Sequence, residues 1–89
     1  MKSFTTERFR KLYRDLPEEN RKQAREAYKQ FIENPQHPSL HFKRVRAGKA
    51  IYSARINIDY RVLGSLTDDT IVWFWIGTHD EYMKLLARL

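Results

Sequence analysis

The sequence predicts an α+β fold: an N-terminal helical hairpin packed on a four-stranded, mainly antiparallel sheet, then a short C-terminal helix. Three observations predict it. Apolar residues recur at helical spacing through the first third of the chain, and the spacing changes to two from Ser39 onward. Thr78 to Glu81 then spell a helix start directly after the most apolar run. At 89 residues the expected organisation is one domain, residues 1–89, with a thin core.

Phe9, Leu12, Tyr13 and Leu16 fall at i, i+3, i+4 and i+7, which marks a short amphipathic helix that Thr5 or Thr6 can cap. Pro17 suits the first turn of a second helix, and Glu18 and Glu19 favour that helix's positive end. Ala24, Ala27, Tyr28, Phe31 and Ile32 keep the same spacing, so this helix should run from about Glu18 to Glu33, stopped by Asn34-Pro35. On it Arg21, Arg25 and Lys29 recur every fourth residue. Such a basic stripe is either a solvated face or a surface for an acidic partner.

Leu40 to Arg46 reads as a basic strand closed by a turn at Ala47-Gly48-Lys49. Between Ala50 and Ile58, Tyr52, Ala54, Ile56 and Ile58 face one way while Ser53, Arg55 and Asn57 face the other. A bend at Asn57-Ile58-Asp59 leads into Tyr60 to Leu66, and Thr67-Asp68-Asp69-Thr70 turns into Ile71 to Gly77. That last strand is apolar on both faces, hence central and covered. Trp73 and Trp75 are therefore expected in the core rather than as stacking platforms for bases. Thr78 and Glu81 match a capping box, and Tyr82, Leu85, Leu86 and Leu89 give the final helix an apolar side. All helices are expected on one sheet face, leaving the other polar.

The net charge of +6 points to a polyanion or an acidic protein as partner, unless the charge is merely solubilising. Residues 1–49 carry 13 Lys/Arg against 6 Asp/Glu, and residues 50–89 carry 4 against 5. Any polyanion should therefore be gripped by the helical half and the first strand. The absence of cysteine excludes disulfide and thiolate chemistry and suits a reducing cytoplasm. The longest apolar run, Ile71 to Ile76, is far shorter than a membrane span of about 20 residues. The first residues also lack the apolar segment of a secretion signal, so a cytoplasmic protein without a membrane partner is expected. No zinc-type spacing, glycine-rich phosphate loop or serine nucleophile elbow is present, and neither metal nor nucleotide cofactor is expected. His37 and His41 have no evident carboxylate or thiolate companions.

The candidate chemistry lies on the second half of the sheet. If the loop Asn57-Ile58-Asp59 is three residues long, Arg55 and Arg61 stand opposite each other on adjacent strands. Like charges so placed destabilise the pair unless an anion lies between them. A two-residue loop would separate them, and an arginine could instead pair with Asp59 or Asp69. His79 should sit in the first turn of the last helix. A lone histidine there is more often plain surface, but an imidazole beside two guanidinium groups suits general acid or base work on a phosphodiester.

Tyr60-Arg61-Val62-Leu63, combined with Ile76-Gly77-Thr78-His79-Asp80-Glu81-Tyr82 behind a helical hairpin and Asn34-Pro35, resembles the RelE/ParE superfamily. These are toxins of type II toxin–antitoxin pairs, and the resemblance covers nearly the whole chain. It implies a compact toxin. Ribonuclease members of that superfamily cut messenger RNA, usually in the ribosome's decoding site, through attack of the RNA's own 2′-hydroxyl on the adjacent phosphate, without a metal. On that resemblance Arg61 contacts the scissile phosphate, with help from Arg55. His79 matches the catalytic histidine of the YafQ-like branch, and Tyr82 lies near the aromatic position of the family's final segment. Lys43, Arg44 and Arg46 would grip the RNA backbone, and Arg21, Arg25 and Lys29 would receive a cognate acidic antitoxin. Where some ribonuclease members carry lysines, this strand has Tyr52 and Ala54. The ParE branch shares the fold and poisons DNA gyrase without nuclease chemistry, and a degenerate member would only bind its antitoxin.

Overall fold

A computed structural model describes residues 1–46 and 48–89, so Ala47 of the expected Ala47-Gly48-Lys49 turn lies outside the described residues. The elements in chain order are β1 (Lys2–Thr5), α1 (Glu7–Arg14), α2 (Glu18–Glu33), a 3-10 turn (Pro38–Leu40), β2 (Lys43–Arg46), β3 (Ile51–Arg55), β4 (Tyr60–Thr67), β5 (Thr70–Thr78) and α3 (His79–Leu86). Thr6 caps α1, its Oγ1 accepting from the Phe9 N–H at 3.1 Å. The strand expected from Leu40 starts only at Lys43, because Pro38 opens a 3-10 turn that buries Leu40 first.

Among the described residues the sheet has five strands in the order β1-β5-β4-β3-β2, one more than the sequence suggests. The additional strand is β1, which pairs parallel with β5 through Ser3↔Ile71 and Phe4↔Val72. Lys2-Ser3-Phe4-Thr5 has no apolar alternation of its own. Pairing covers what would be the open edge of β5, and the Trp73 indole N–H donates to Ser3 Oγ at 3.1 Å. The most apolar strand thereby becomes an interior one.

Each sheet face carries its own core. On one, the α1–α2 hairpin buries Phe31 against Ala54, Val62, Ile71, Trp73 and Ile76. Phe31 meets Phe42 and Trp73 edge-on, with centroids 5.1 and 5.3 Å apart. On the other, Tyr82 of α3 packs with Leu63 and Trp75, flanked by Leu85 and Leu86. The expectation that all helices share one face is thus corrected: α3 crosses to the opposite side. The apolar character of β5 on both faces is the physical reason, since each face needs a cover.

A bulge in β5 sorts its aromatic residues. Leu63 pairs with Trp75 and Gly64 with Trp73, leaving Phe74 unpaired. The extra residue resets the alternation, so Trp73 serves the hairpin core while Trp75 and Gly77 share a face with Leu63 and Arg61. The indoles need space, and glycines supply it. A Cβ at Gly64 would lie 2.7 Å from Trp73 Cε3, and one at Gly77 would lie 2.5 Å from Trp75 Cζ2. No helix among the described residues is long and apolar enough to cross a membrane.

Phe31→Ala is expected to cost about 3–5 kcal/mol by opening a cavity under the hairpin. Urea unfolding measures it, and a loss under ~1 kcal/mol would show that the hairpin does not rest on this ring.

Candidate active site

The turn between β3 and β4 sets the site. Asn57 Oδ1 accepts from the backbone N–H groups of Asp59 at 2.8 Å and Tyr60 at 2.9 Å. The Ile56 N–H donates to the Tyr60 carbonyl at 3.1 Å. The loop is therefore residues 57–59, and Arg55 and Arg61 stand directly opposite each other. The carbonyls of the same turn orient two further groups. Asn57 O accepts from Arg61 Nη1 at 2.6 Å, and Asp59 O accepts from the His79 backbone N–H at 2.7 Å. One turn thus fixes both the guanidinium and the first residue of α3.

Among the described residues neither arginine is paired with a carboxylate; Asp69 instead meets the N-terminal ammonium at 3.6 Å. Burial first, and the like charge of Arg55 second, pull the Arg61 guanidinium below its ordinary range, against smaller opposing effects of Tyr82 and Asp59. Only Nη1 of Arg61 is held by the turn, so the donors on Nε and Nη2 lie outside that contact.

His79 is exposed, with its ring centroid 5.9 Å from that of Tyr82. Tyr82 itself is only 6% exposed, and its hydroxyl donates to Ser53 Oγ at 3.3 Å. Its place is the floor beneath the imidazole. The capping box holds this helix start: Glu81 N–H donates to Thr78 Oγ1 at 3.2 Å, and Thr78 N–H donates to Glu81 Oε1 at 2.9 Å. Those bonds from Thr78 keep the Glu81 carboxyl below the usual carboxylate range.

Arg55, Arg61, His79 and Tyr82 line one open hollow of about 420 Å³, with Lys43 and Arg44 on its rim. Arg44 is steadied there by bonds from Nε to the carbonyls of Arg46 and Lys49 at 3.2 and 3.1 Å. Arg46 is not among the lining residues; it is half-buried, with Nη1 3.4 Å from the Val45 carbonyl. His41 also lines the hollow, which sequence reasoning missed. Tyr52 and Ala54 serve the hairpin side, Ala54 buried in its core and Tyr52 stacked on Phe42 at 5.1 Å. The hollow-facing residues of β3 are Ser53 and Arg55, so this strand does present a cation to the site.

The basic stripe divides. Arg21 Nη1 donates to the carbonyls of Leu16 at 2.7 Å and Arg14 at 3.2 Å, so this side chain closes the hairpin turn. Arg25 donates to the Tyr13 hydroxyl at 2.9 Å, and Lys29 is exposed. Both Arg25 and Lys29 border an apolar cleft of about 450 Å³ between the hairpin and the sheet, floored by Ala54, Val62 and Ile76.

The sequence matches the family profile of the ParE-like toxin domain over residues 18–84. The chain belongs to this toxin family. No curated protein matches it. Among solved structures the toxin is similar to YafQ from E. coli strain BL21(DE3), with a TM-score of 0.72 and 15% identity over 90% of this chain and 94% of that one. It is also similar to a chain of the RelB–RelE antitoxin–toxin complex from Methanococcus jannaschii (TM-score 0.73, 16% identity, 92% and 96% covered). The isolated E. coli RelE toxin gives a TM-score of 0.65 at 18% identity, with 98% and 96% covered. At these identities the likeness is one of fold; the family profile bears out the expected membership of the RelE/ParE superfamily.

Arg55→Gln in the toxin is expected to raise stability by roughly 0.2–1 kcal/mol at low salt, through relief of the cross-strand repulsion. Urea midpoints at low and high salt check this, and the gain should shrink as salt screens the pair. Thr78→Ala is expected to cost about 1 kcal/mol. Because the folded Glu81 carboxyl lies below its unfolded value, its contribution is complete above the ordinary carboxyl range and is lost as pH falls through the depressed value. Glu81→Gln should accordingly remove that acid-side decline from a plot of urea midpoint against pH.

Proposed function

We propose that this toxin is a metal-independent endoribonuclease that cleaves messenger RNA, in association with the ribosome. The observation that carries the reading is the convergence of Arg55, Arg61 and His79 on one open, cationic hollow. A phosphodiester seated between the two guanidinium groups relieves their mutual repulsion, so the site favours the charge distribution that the reaction develops. The RNA's 2′-hydroxyl attacks the adjacent phosphorus. Arg61 stabilises the charge on the non-bridging oxygens from Nε and Nη2, Arg55 assists, and His79 carries a proton to or from the reacting oxygens. Tyr82 supports the imidazole from below, while Lys43 and Arg44 hold the flanking backbone at the rim.

The partner implied by the family is a cognate acidic antitoxin. The Methanococcus jannaschii relative is seen with its antitoxin, and an E. coli RelBE toxin–antitoxin complex shares this fold with a TM-score of 0.63. Arg25 and Lys29 beside the apolar cleft support an antitoxin contact there, with Arg21 contributing to the hairpin instead. A ribosomal target places the toxin in the cytoplasm.

Induced expression followed by mapping of transcript ends tests the function. Wild type should produce new ends and arrest translation. Arg61→Ala should slow cleavage about 10²–10³-fold and His79→Ala about 10²–10⁴-fold, with the fold retained by circular dichroism. Intact transcripts with the wild-type toxin would overturn the proposal, and a DNA-damage response in their place would assign the gyrase-directed activity of the ParE branch.

A further inference from the structure

The cleavage proposed above moves two protons on opposite sides of the phosphorus, and this inference rests on that reading. One proton leaves the attacking 2′-hydroxyl; another must reach the departing 5′-oxygen. His79 accounts for one carrier. We propose that His41 is the other, a second catalytic residue acting from the far side of the hollow.

The lining of the hollow carries the argument: His41, Arg55, Arg61 and His79 all border it. Lys43 pairs with Ser53 and Arg44 with Tyr52, and His41 lies just ahead of β2, past the end that runs toward Arg55. Arg55 stands opposite Arg61, and Arg61 opposite Gly77, two residues before His79. One row therefore crosses three strands through Arg55, Arg61 and Gly77, with His79 just beyond β5 and His41 ahead of β2 on the other side. Imidazoles on these two sides of the hollow flank a phosphodiester that lies over the arginines. Both rings line the same 420 Å³ hollow.

The backbone holds His41 in place for this. Leu40 beside it is 2% exposed and anchors the 3-10 turn, and the His41 N–H donates to the Pro38 carbonyl at 3.3 Å. His41 adopts a left-handed conformation with φ 45° and ψ 42°. Such backbone is uncommon outside glycine, and strained residues of this kind gather at functional sites. His37 has a different use: its Nδ1 accepts from the Ser39 N–H at 3.2 Å and caps the 3-10 turn.

The step balances without a co-reactant. The bond from the 2′-oxygen to phosphorus forms as the bond from phosphorus to the 5′-oxygen breaks. One imidazole accepts the 2′-hydroxyl proton and the other donates its proton to the 5′-oxygen, leaving a 2′,3′-cyclic phosphate and a 5′-hydroxyl.

The test is single-turnover cleavage of a synthetic mRNA, free and on programmed ribosomes, across the neutral pH range. His41→Asn removes the imidazole while keeping a side chain that tolerates left-handed backbone. Its rate should fall about 10²-fold or more with loss of one limb of the pH profile, while affinity for the same RNA carrying a 2′-deoxy residue at the cleaved position is unchanged. An RNA with sulfur as its 5′-bridging atom, a leaving group that needs no proton, should restore the rate in one of His41→Asn and His79→Asn and not in the other. A wild-type rate in His41→Asn, a loss explained wholly by weaker RNA binding, or restoration in neither variant would overturn the assignment of His41 alone. A wild-type toxin that cuts no RNA in either setting overturns the proposed function, and this inference with it.

Discussion

The site depends on the hydrogen bonds that the Asn57 side chain makes to Asp59 and Tyr60. They fix the turn at three residues and so bring two like charges face to face, at a cost of roughly 0.2–1 kcal/mol. Two such bonds, each contributing about 1 kcal/mol net, are enough to hold that register. The carbonyls of the turn then place Arg61 and the start of α3. A slip of one residue would send Arg61 to the hairpin face, where Val62 now packs against Phe31 and Ala54. The geometry of the hollow is therefore a consequence of one short polar loop, and the surrounding apolar residues serve as its mount.

How much of this could be read from the chain follows from where the determining forces act. The second helix and the capping box are governed by local signals, periodic apolar residues and side-chain caps, and they fall where expected. The opposition of Arg55 and Arg61 was legible as a conditional, because loop length alone decides it. Strand β1 was not legible: its four residues are polar or exposed, and only the edge of β5 makes them a strand. The side chosen by α3 was hidden for a related reason. A strand apolar on both faces does not reveal which cover lies where, and the bulge at Phe74 reverses the alternation part-way along. His41 carries no signal in the sequence, because Arg55, Arg61 and His79 join it only in the folded hollow.

Charge is distributed by the same logic. The excess of cations in the first half is not one continuous surface. Arg21 is absorbed by the hairpin turn and Arg46 by its own strand, whereas Lys43 and Arg44 come forward to the hollow. The decisive arginines, 55 and 61, come from the half of the chain whose net charge is slightly negative. Counting charges along the sequence thus locates the rim and misses the centre. What distinguishes the centre is the register that sets the two guanidinium groups opposite each other.

Stability and chemistry are kept largely apart in space. Phe31, Trp73 and Ile76 hold the hairpin to one face without touching the hollow, so Arg61 and His79 can be replaced without opening that core. The two requirements meet at one junction. Gly77 lies opposite Arg61 and beneath the Trp75 ring, and a Cβ there would also come within 3.0 Å of Glu81 Oε1, the carboxylate that closes the cap of α3. A side chain at this position would press on the second core and on the first turn of the histidine-bearing helix together. The Gly-Thr-His run is consequently a packing demand, a helix cap and an imidazole on the hollow in three consecutive residues, which is why so short a segment carries so much of the candidate site.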